Sequence, residues 1–403
     1  MEGHVAMPAV PPDSTGVEVS VVIPCLNEEL TVGACVRKAR ASLETQGVKW
    51  EVIVCDNGST DRSVEAAAHE GAQVVIESRR GYGNAYMTGL SQARGRYIVM
   101  GDSDDTYDFT EVPKFVEALR VGHEFVTGTR FGGRAIEGMP FLHRYFGNPV
   151  LTRILNHLFR TGFGDVYCGM RAFTREAYQR IAPLSPGMEF NLELAINARK
   201  AGLRCHEIPI QLHERVTPAK LRTLRDGWRS LRFILLYSPN SLFLVPSLGC
   251  LFLAAIAFML AFLLPLLRGP DPWVQLEASG SLLAIVGNQT FQFWLVAKTY
   301  SLSERFEREN PVSRRLAQIF SLERGLAAGA GLLLLGLAIS GWLVLNWIMA
   351  GFASQYSRWG YLALTLTAIG AQVICGSFFL SLLTVKKERE EASTTHGRRP
   401  PQY

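Results

Sequence analysis

The chain has no paired-cysteine signature. Its seven cysteines are scattered and no Cys-x-x-Cys occurs. That argues against a zinc site and a disulfide frame, and fits reduced thiols in a cytoplasmic domain. The lead MEGHVAMPAVPPDSTG lacks an apolar core of signal-peptide length, so residues 1–17 read as a disordered segment. No internal repeat is visible in the soluble part, and no nucleic-acid module is recognisable. GYGNAY at 81–86 holds two glycines of a dinucleotide fingerprint, but Tyr86 stands in the third glycine's place, which disfavours a Rossmann dehydrogenase.

Long apolar runs, by contrast, are plentiful. Hydrophobic residues make up 48% of the 403, and they are unevenly placed. Residues 18–235 carry mixed charges, whereas 242–267, 281–296, 326–349 and 361–385 are apolar. A helix needs about 20 mostly apolar residues to cross a bilayer. The second run is shorter and contains Asn288, Gln289, Thr290 and Gln292, so it is expected to face other helices. Four transmembrane helices are therefore expected over 241–386, with a basic loop at about 298–325 and a tail at 387–403.

Positive residues orient such a protein. Lys220, Arg222, Arg225, Arg229 and Arg232 precede the first span. Lys298, Arg305, Arg308, Arg314, Arg315 and Arg324 lie between spans two and three. Lys386, Lys387, Arg389, Arg398 and Arg399 follow the fourth, while the other two links hold only Arg268 and Arg358. The large domain, the middle loop and the tail are thus expected in the cytoplasm of a multi-pass membrane protein. The net charge of +5 reads as attraction to anionic lipid, not to nucleic acid.

The soluble part alternates apolar β-branched runs with helical stretches. Strands are expected at 19–23, 50–56, 72–77 and 96–102, and helices at 29–43, 61–70 and 82–94. That alternation predicts a mostly parallel sheet covered on both faces, with ligands at the carboxyl ends of its strands. Polar residues cluster at those ends: Asn27-Glu28, then Asp56 through Asp61, then Asp102-Ser103-Asp104. Singly, Asp61 is an ordinary helix N-cap and Asn57-Gly58 an ordinary turn; together on one edge they point to a site. Side chains two apart on an extended segment share a direction. Asp102 and Asp104 can therefore face one hard cation, Mg²⁺ or Mn²⁺, bridging to substrate phosphates.

VSVVIPCLNEE, EVIVCDNGSTD, GRYIVMGDSDD and VTGTRF resemble glycosyltransferase family 2, with its Rossmann-like GT-A fold. GDVYCGMRAFTRE, GMEFNLELAINARKAGLRCHEIPI and HERVTPAKL resemble its dolichol-phosphate mannose synthase branch, the polyprenyl-phosphate glycosyltransferases. The resemblance implies a GT-A domain over 18–216, a juxtamembrane amphipathic helix over 217–240 and the membrane helices beyond. It implies that Pro24, Asn27, Glu28 and Asp56 line the nucleotide-sugar pocket, supported by Asp61. Asp102 and Asp104 would hold the metal and diphosphate, and Arg130 would contact phosphate. Arg171, Arg215 and Lys220 would surround the acceptor phosphate. Asp104, Arg130, Arg171 and Arg215 form the implied catalytic set. The chain departs from the pattern at Thr106 (usually Gln), at Asn57 (usually Asp), at Gly81-Tyr82-Gly83 (usually Gly-Lys-Gly, with Arg79 and Arg80 beside it) and at Ala219-Lys220 (usually Ser-Lys).

The implied reaction is inverting, metal-dependent transfer of a hexose from GDP-mannose or UDP-glucose to a polyprenyl or dolichyl phosphate at the cytoplasmic membrane face. No catalytic base is expected, because a phosphate monoester is already largely ionised at neutral pH. Leu221, Leu224, Trp228, Leu231 and Leu235 recur at helical spacing with basic residues between them, the pattern of an interfacial helix. Two alternatives are a processive polysaccharide synthase and a non-enzymatic tether or lipid-linked sugar translocase. The synthase's Gln-x-x-Arg-Trp string occurs at 355–359, but in a link expected outside, away from the soluble domain.

Overall fold

The structure is a computed structural model, and it describes residues 16–131, 147–215, 223–268, 274–303, 322–350 and 359–396. The chain divides into two compact units, Met1–Ile234 and Leu235–Tyr403.

The first unit is built on a seven-stranded sheet. Its strands are β1 (Val19–Cys25), β2 (Trp50–Asp56), β3 (Gln73–Ile76), β4 (Tyr97–Met100), β5 (Phe125–Thr129), β6 (Arg171–Thr174) and β7 (Cys205–Pro209). They lie in the order β3-β2-β1-β4-β6-β5-β7. β1 pairs in parallel with β2 and β4, and β6 runs antiparallel to β4 and β5. Every residue of β1 and β4 is buried, as expected where helices cover both faces.

The helices of this unit are α1 (Val32–Glu44), α2 (Ser63–His69), α3 (Tyr82–Gln92), α4 (Val112–Arg120), α5 (Asn148–Phe159), α6 (Arg175–Ile181) and α7 (Phe190–Lys200). α8 (Thr223–Leu236) runs across the division between Ile234 and Leu235. α1 buries Val32, Cys35, Val36, Ala39 and Leu43, and α4 buries Val112, Phe115, Val116 and Leu119. Each such large side chain contributes roughly 1.5–3 kcal/mol of burial. The expected boundaries shift slightly: the first helix starts at Val32, because residues 26–31 form the turn that carries Asn27 and Glu28. The strand order reverses between β1 and β4, which puts a crevice at their carboxyl ends.

The glycines of GYGNAY have a packing role. Gly81 has φ +146°, and a Cβ on Gly81 or Gly83 would collide with the Ser185–Pro186 backbone. The Asn84 N–H donates to the Pro186 carbonyl at 3.2 Å. That close approach accounts for both glycines.

The second unit holds α9 (Val245–Arg268), α10 (Val274–Ser303), α11 (Leu322–Met349) and α12 (Trp359–His396). Among the described residues, three helices are long and apolar enough to cross a membrane: Asn240–Leu263, Leu322–Met349 and Trp359–Leu383. The expected count of four is corrected to three. The exception is α10, which at 30 residues is long enough but too polar. Its polar groups are spent on neighbouring helices. Asn288 donates to Gln372 at 2.8 Å, the Thr365 hydroxyl donates to Ser281 at 2.7 Å, and Trp294 Nε1 donates to Asn240 at 2.8 Å. Phe252, Phe262, Leu345 and Leu382 stay exposed, the surface a lipid solvent favours.

Candidate functional site

Three loops leave the carboxyl ends of β1, β2 and β4. Asn27 sits at φ +54°, a region that Asn tolerates better than most residues. Its side-chain oxygen accepts from the Thr60 N–H at 2.8 Å, and its own N–H donates to Ser59 Oγ at 2.9 Å. The Glu28 N–H donates to Ser63 Oγ at 2.8 Å. Asp61 accepts from the Glu29 N–H at 3.2 Å and from the Ser63 N–H at 3.0 Å. The loops after β1 and β2 are thereby tied together. Pro24 is buried at the end of β1. Asp56 is buried too, and its carboxylate accepts from the N–H groups of Gly58 and Ser59 at 2.9 and 3.1 Å.

Asn57 is fitted to its place. Its amide donates to the carbonyls of Glu77 and Arg79 at 3.0 and 2.8 Å, and its oxygen accepts from the Gly81 N–H at 2.7 Å. An aspartate there cannot donate. Asn57→Asp should therefore cost about 2 kcal/mol, the usual penalty for stranding buried acceptors. The check is a lowered thermal midpoint of the purified protein.

At the end of β4, Asp102 Oδ1 accepts from the hydroxyls of Tyr82 and Tyr86 at 2.8 and 3.2 Å. The Asn191 amide donates to the Tyr82 oxygen at 3.1 Å. Burial first, and Asp104 second, push the Asp102 carboxyl up to about 6. Burial also holds both tyrosines well above their usual range, so they remain hydroxyl donors at neutral pH. Asp104 Oδ1 accepts from the N–H and hydroxyl of Thr106, at 3.2 and 2.6 Å. Arg215 Nη2 lies 3.3 Å from Asp104 Oδ2 and 3.3 Å from Glu28 Oε1. Lys38 pairs instead with Asp105, at 2.7 Å.

Gly169 seals the other side of Asp102. A Cβ at this position would stand 2.7 Å from Asp102 Oδ2 and 3.0 Å from the Tyr107 ring. Gly169→Ala should displace the carboxylate and lower kcat/KM about a hundredfold, since ångström misplacement has that effect. A steady-state assay checks it.

Two expected phosphate ligands are placed elsewhere. Arg130 is nearly buried and clamps Asp165 with two bonds, Nε to Oδ2 at 2.6 Å and Nη2 to Oδ1 at 2.9 Å. Burial opposes both charges, yet each holds the other ionised: Asp165 falls below its usual range and Arg130 rises. Arg171 is fully buried on β6. Its guanidinium donates to the carbonyls of Cys168 at 2.9 Å, Val166 at 2.7 Å and Asn191. The expectation that Arg171 meets an acceptor phosphate is corrected: all three nitrogens are spent on backbone and none reaches the surface. Arg130 likewise acts on Asp165. Of the expected acceptor-side cations, Arg215 is the one the fold brings to the acidic cluster, and Lys220 lies outside the described residues.

Residues 20–182 match glycosyl transferase family 2, and residues 295–384 match the glycosyltransferase family 2 C-terminal transmembrane region. Over 368 residues, 91% of this chain and 89% of the relative, the sequence is 37% identical to the low-salt glycan biosynthesis hexosyltransferase Agl6 of Haloferax volcanii. The chain belongs to glycosyltransferase family 2. It is also 30% identical over 210 residues to a dolichyl-phosphate hexose transferase of the same organism, spanning 52% of this chain and 89% of the relative. The glucosyl-3-phosphoglycerate synthase of Mycobacterium tuberculosis, crystallised with Mn²⁺, UDP and glucosyl-3-phosphoglycerate, is 26% identical. That match covers 55% of this chain and 78% of the synthase, with a TM-score of 0.45.

This family 2 glycosyltransferase is thus a membrane protein with a GT-A domain. Sequence reading missed several of its site residues. Tyr82 and Tyr86 lie four apart on α3, on the same helical face, a signal masked by reading GYGNAY as a glycine motif. Thr106 was legible as a departure from the family's Gln. Asp165, Asn191 and Gly169 carry no local signal, because their partners are 35, 109 and 67 residues away.

Proposed function

We propose that this glycosyltransferase moves a hexosyl group, with inversion, from a nucleotide-diphosphate sugar such as GDP-mannose or UDP-glucose to a polyprenyl or dolichyl phosphate at the cytoplasmic face of the membrane. The observation that carries this reading is the convergence of Glu28, Asp102, Asp104 and Arg215 at the ends of β1 and β4. The name of the 30%-identical relative supports the acceptor class.

The residues fit a hard divalent cation. Asp102 and Asp104 offer carboxylate oxygens, and burial first, with the neighbouring Asp104 second, raises the Asp102 carboxyl. Among the described residues no three His, Cys, Asp or Glu side chains form a complete metal cage. A two-carboxylate set suits Mg²⁺ or Mn²⁺, which take substrate phosphates as further ligands. When bound, such an ion neutralises charge on the departing diphosphate.

The chain's own groups do the rest. Pro24, Asn27, Glu28 and Asp56 shape the nucleotide side, and Asp61 fixes the loop between them. Tyr82 and Tyr86 orient the Asp102 carboxylate; Thr106 orients Asp104. Arg215 neutralises the incoming lipid phosphate and aligns it behind the anomeric carbon. The nucleophile is already ionised, so no side chain has to remove a proton. Arg130 and Arg171 act at one remove, holding residues 165–171. On α8, Trp228 is 63% exposed, as an interfacial helix near lipid headgroups requires.

The test uses the purified full chain with Mn²⁺, labelled donor and undecaprenyl or dolichyl phosphate. A labelled lipid monophosphate sugar is expected. Failure of every common donor to label either lipid overturns the reading.

A further inference from the structure

Arg215 stands between two buried carboxylates that come from different strands. Glu28 follows β1 and Asp104 follows β4. One guanidinium nitrogen is 3.3 Å from an oxygen of each. Thr106 already occupies Oδ1 of Asp104, so Oδ2 is the oxygen left to meet a divalent cation. Arg215 holds that same oxygen. Lys38, a further cation near the cluster among the described residues, is engaged by both oxygens of Asp105, at 2.7 and 3.0 Å.

Building on the reading above, we propose that Arg215 is the resident counter-ion of the metal position, exchanged for the divalent ion when the donor binds and thereby freed for the acceptor phosphate. A guanidinium cannot shed its proton to relieve repulsion from an incoming cation; it has to move. The carboxylates are fixed by burial and by Thr106, whereas the Arg215 side chain is 25% exposed and has solvent to move into. Two functions are then served by one side chain in sequence. Without the donor, Arg215 offsets the mutual repulsion of Glu28 and Asp104. With the donor and its ion in place, the displaced positive charge faces the next anion to arrive. The order of binding follows: metal and nucleotide sugar first, lipid phosphate second.

The experiment titrates the purified full chain with Mn²⁺ alone and reads free Mn²⁺ by electron paramagnetic resonance. R215Q removes the competing charge and is expected to bind Mn²⁺ about tenfold more tightly than wild type, the scale of a close charge pair. R215K keeps a cation in place and is expected to bind no more tightly than wild type. D104N is expected to lose the Mn²⁺ site. If D104N loses Mn²⁺ while R215Q binds it no better than wild type, the exchange is refuted and the metal reading stands. If D104N binds Mn²⁺ like wild type, the metal reading itself fails and the exchange with it. Circular dichroism on each variant confirms that a changed affinity belongs to a folded protein.

Discussion

Asp104→Asn should reduce hexosyl transfer at least about a thousandfold, or roughly 4 kcal/mol of transition-state stabilisation. Asp104 is one of the carboxylates gathered at the crevice, and its Oδ2 faces Arg215 rather than a backbone donor. The substitution keeps an oxygen for the Thr106 hydroxyl, so the turn after β4 survives. It also removes one of two mutually repelling carboxylates: Asp104 is the second cause of the raised Asp102 carboxyl. The thermal midpoint should therefore hold or rise while activity collapses, the trade expected of a site built for function at some expense of stability. Single-turnover transfer and a melting curve on the same preparation decide it. A tenfold loss or less would mean that Asp104 is not at the reacting diphosphate.

Arg171→Met should act in the opposite sense, on stability before chemistry. The guanidinium supplies donors to three carbonyls, of Val166, Cys168 and Asn191. Methionine fills much of the volume and supplies none. Each stranded buried acceptor costs about 1–3 kcal/mol. Burial pushes the Arg171 guanidinium below its usual range, so losing that unfavourable charge recovers part of the penalty. The acceptors outnumber the single charge, and a net loss of about 3 kcal/mol is expected, seen as a markedly lowered melting midpoint or reduced yield of folded protein. Arg171→Lys should be nearly as damaging, since one ammonium cannot reproduce the planar fork. If Arg171 were instead a ligand of the lipid phosphate, both variants would keep wild-type stability and raise the acceptor KM. These outcomes are cleanly separable.

The two arginines differ only in tertiary context. Arg171 sits in a β-strand whose neighbours β4 and β5 cover it. Arg215 follows β7 and reaches across the sheet edge to a residue 187 positions earlier. Nothing local distinguishes Gly-Met-Arg from His-Glu-Arg as a buried clamp or a reachable cation. The same holds for Arg130. Its position at the end of an apolar strand was legible, yet its partner Asp165, in the loop after α5, was not. The membrane part shows a milder version. The polar residues of the second apolar run announced contact with other helices, and Asn288 does meet Gln372. What the sequence alone could not weigh was whether the remaining residues suffice for a span.

By itself the sequence determined the alternation of strands and helices, the crevice-edge position of Asn27, Asp56, Asp102 and Asp104, and the apolar C-terminal helices. Those features are written in period-two and period-3.6 patterns and in punctuation within a few residues, so local chemistry suffices to read them. Only the tertiary structure decided which cation meets the acidic cluster, which arginines are consumed inside the fold, and which tyrosines brace Asp102. A long side chain's partner is chosen by whatever packing brings within its reach, and for Arg130, Arg171 and Arg215 the chain supplied those partners from 3 to 187 residues away.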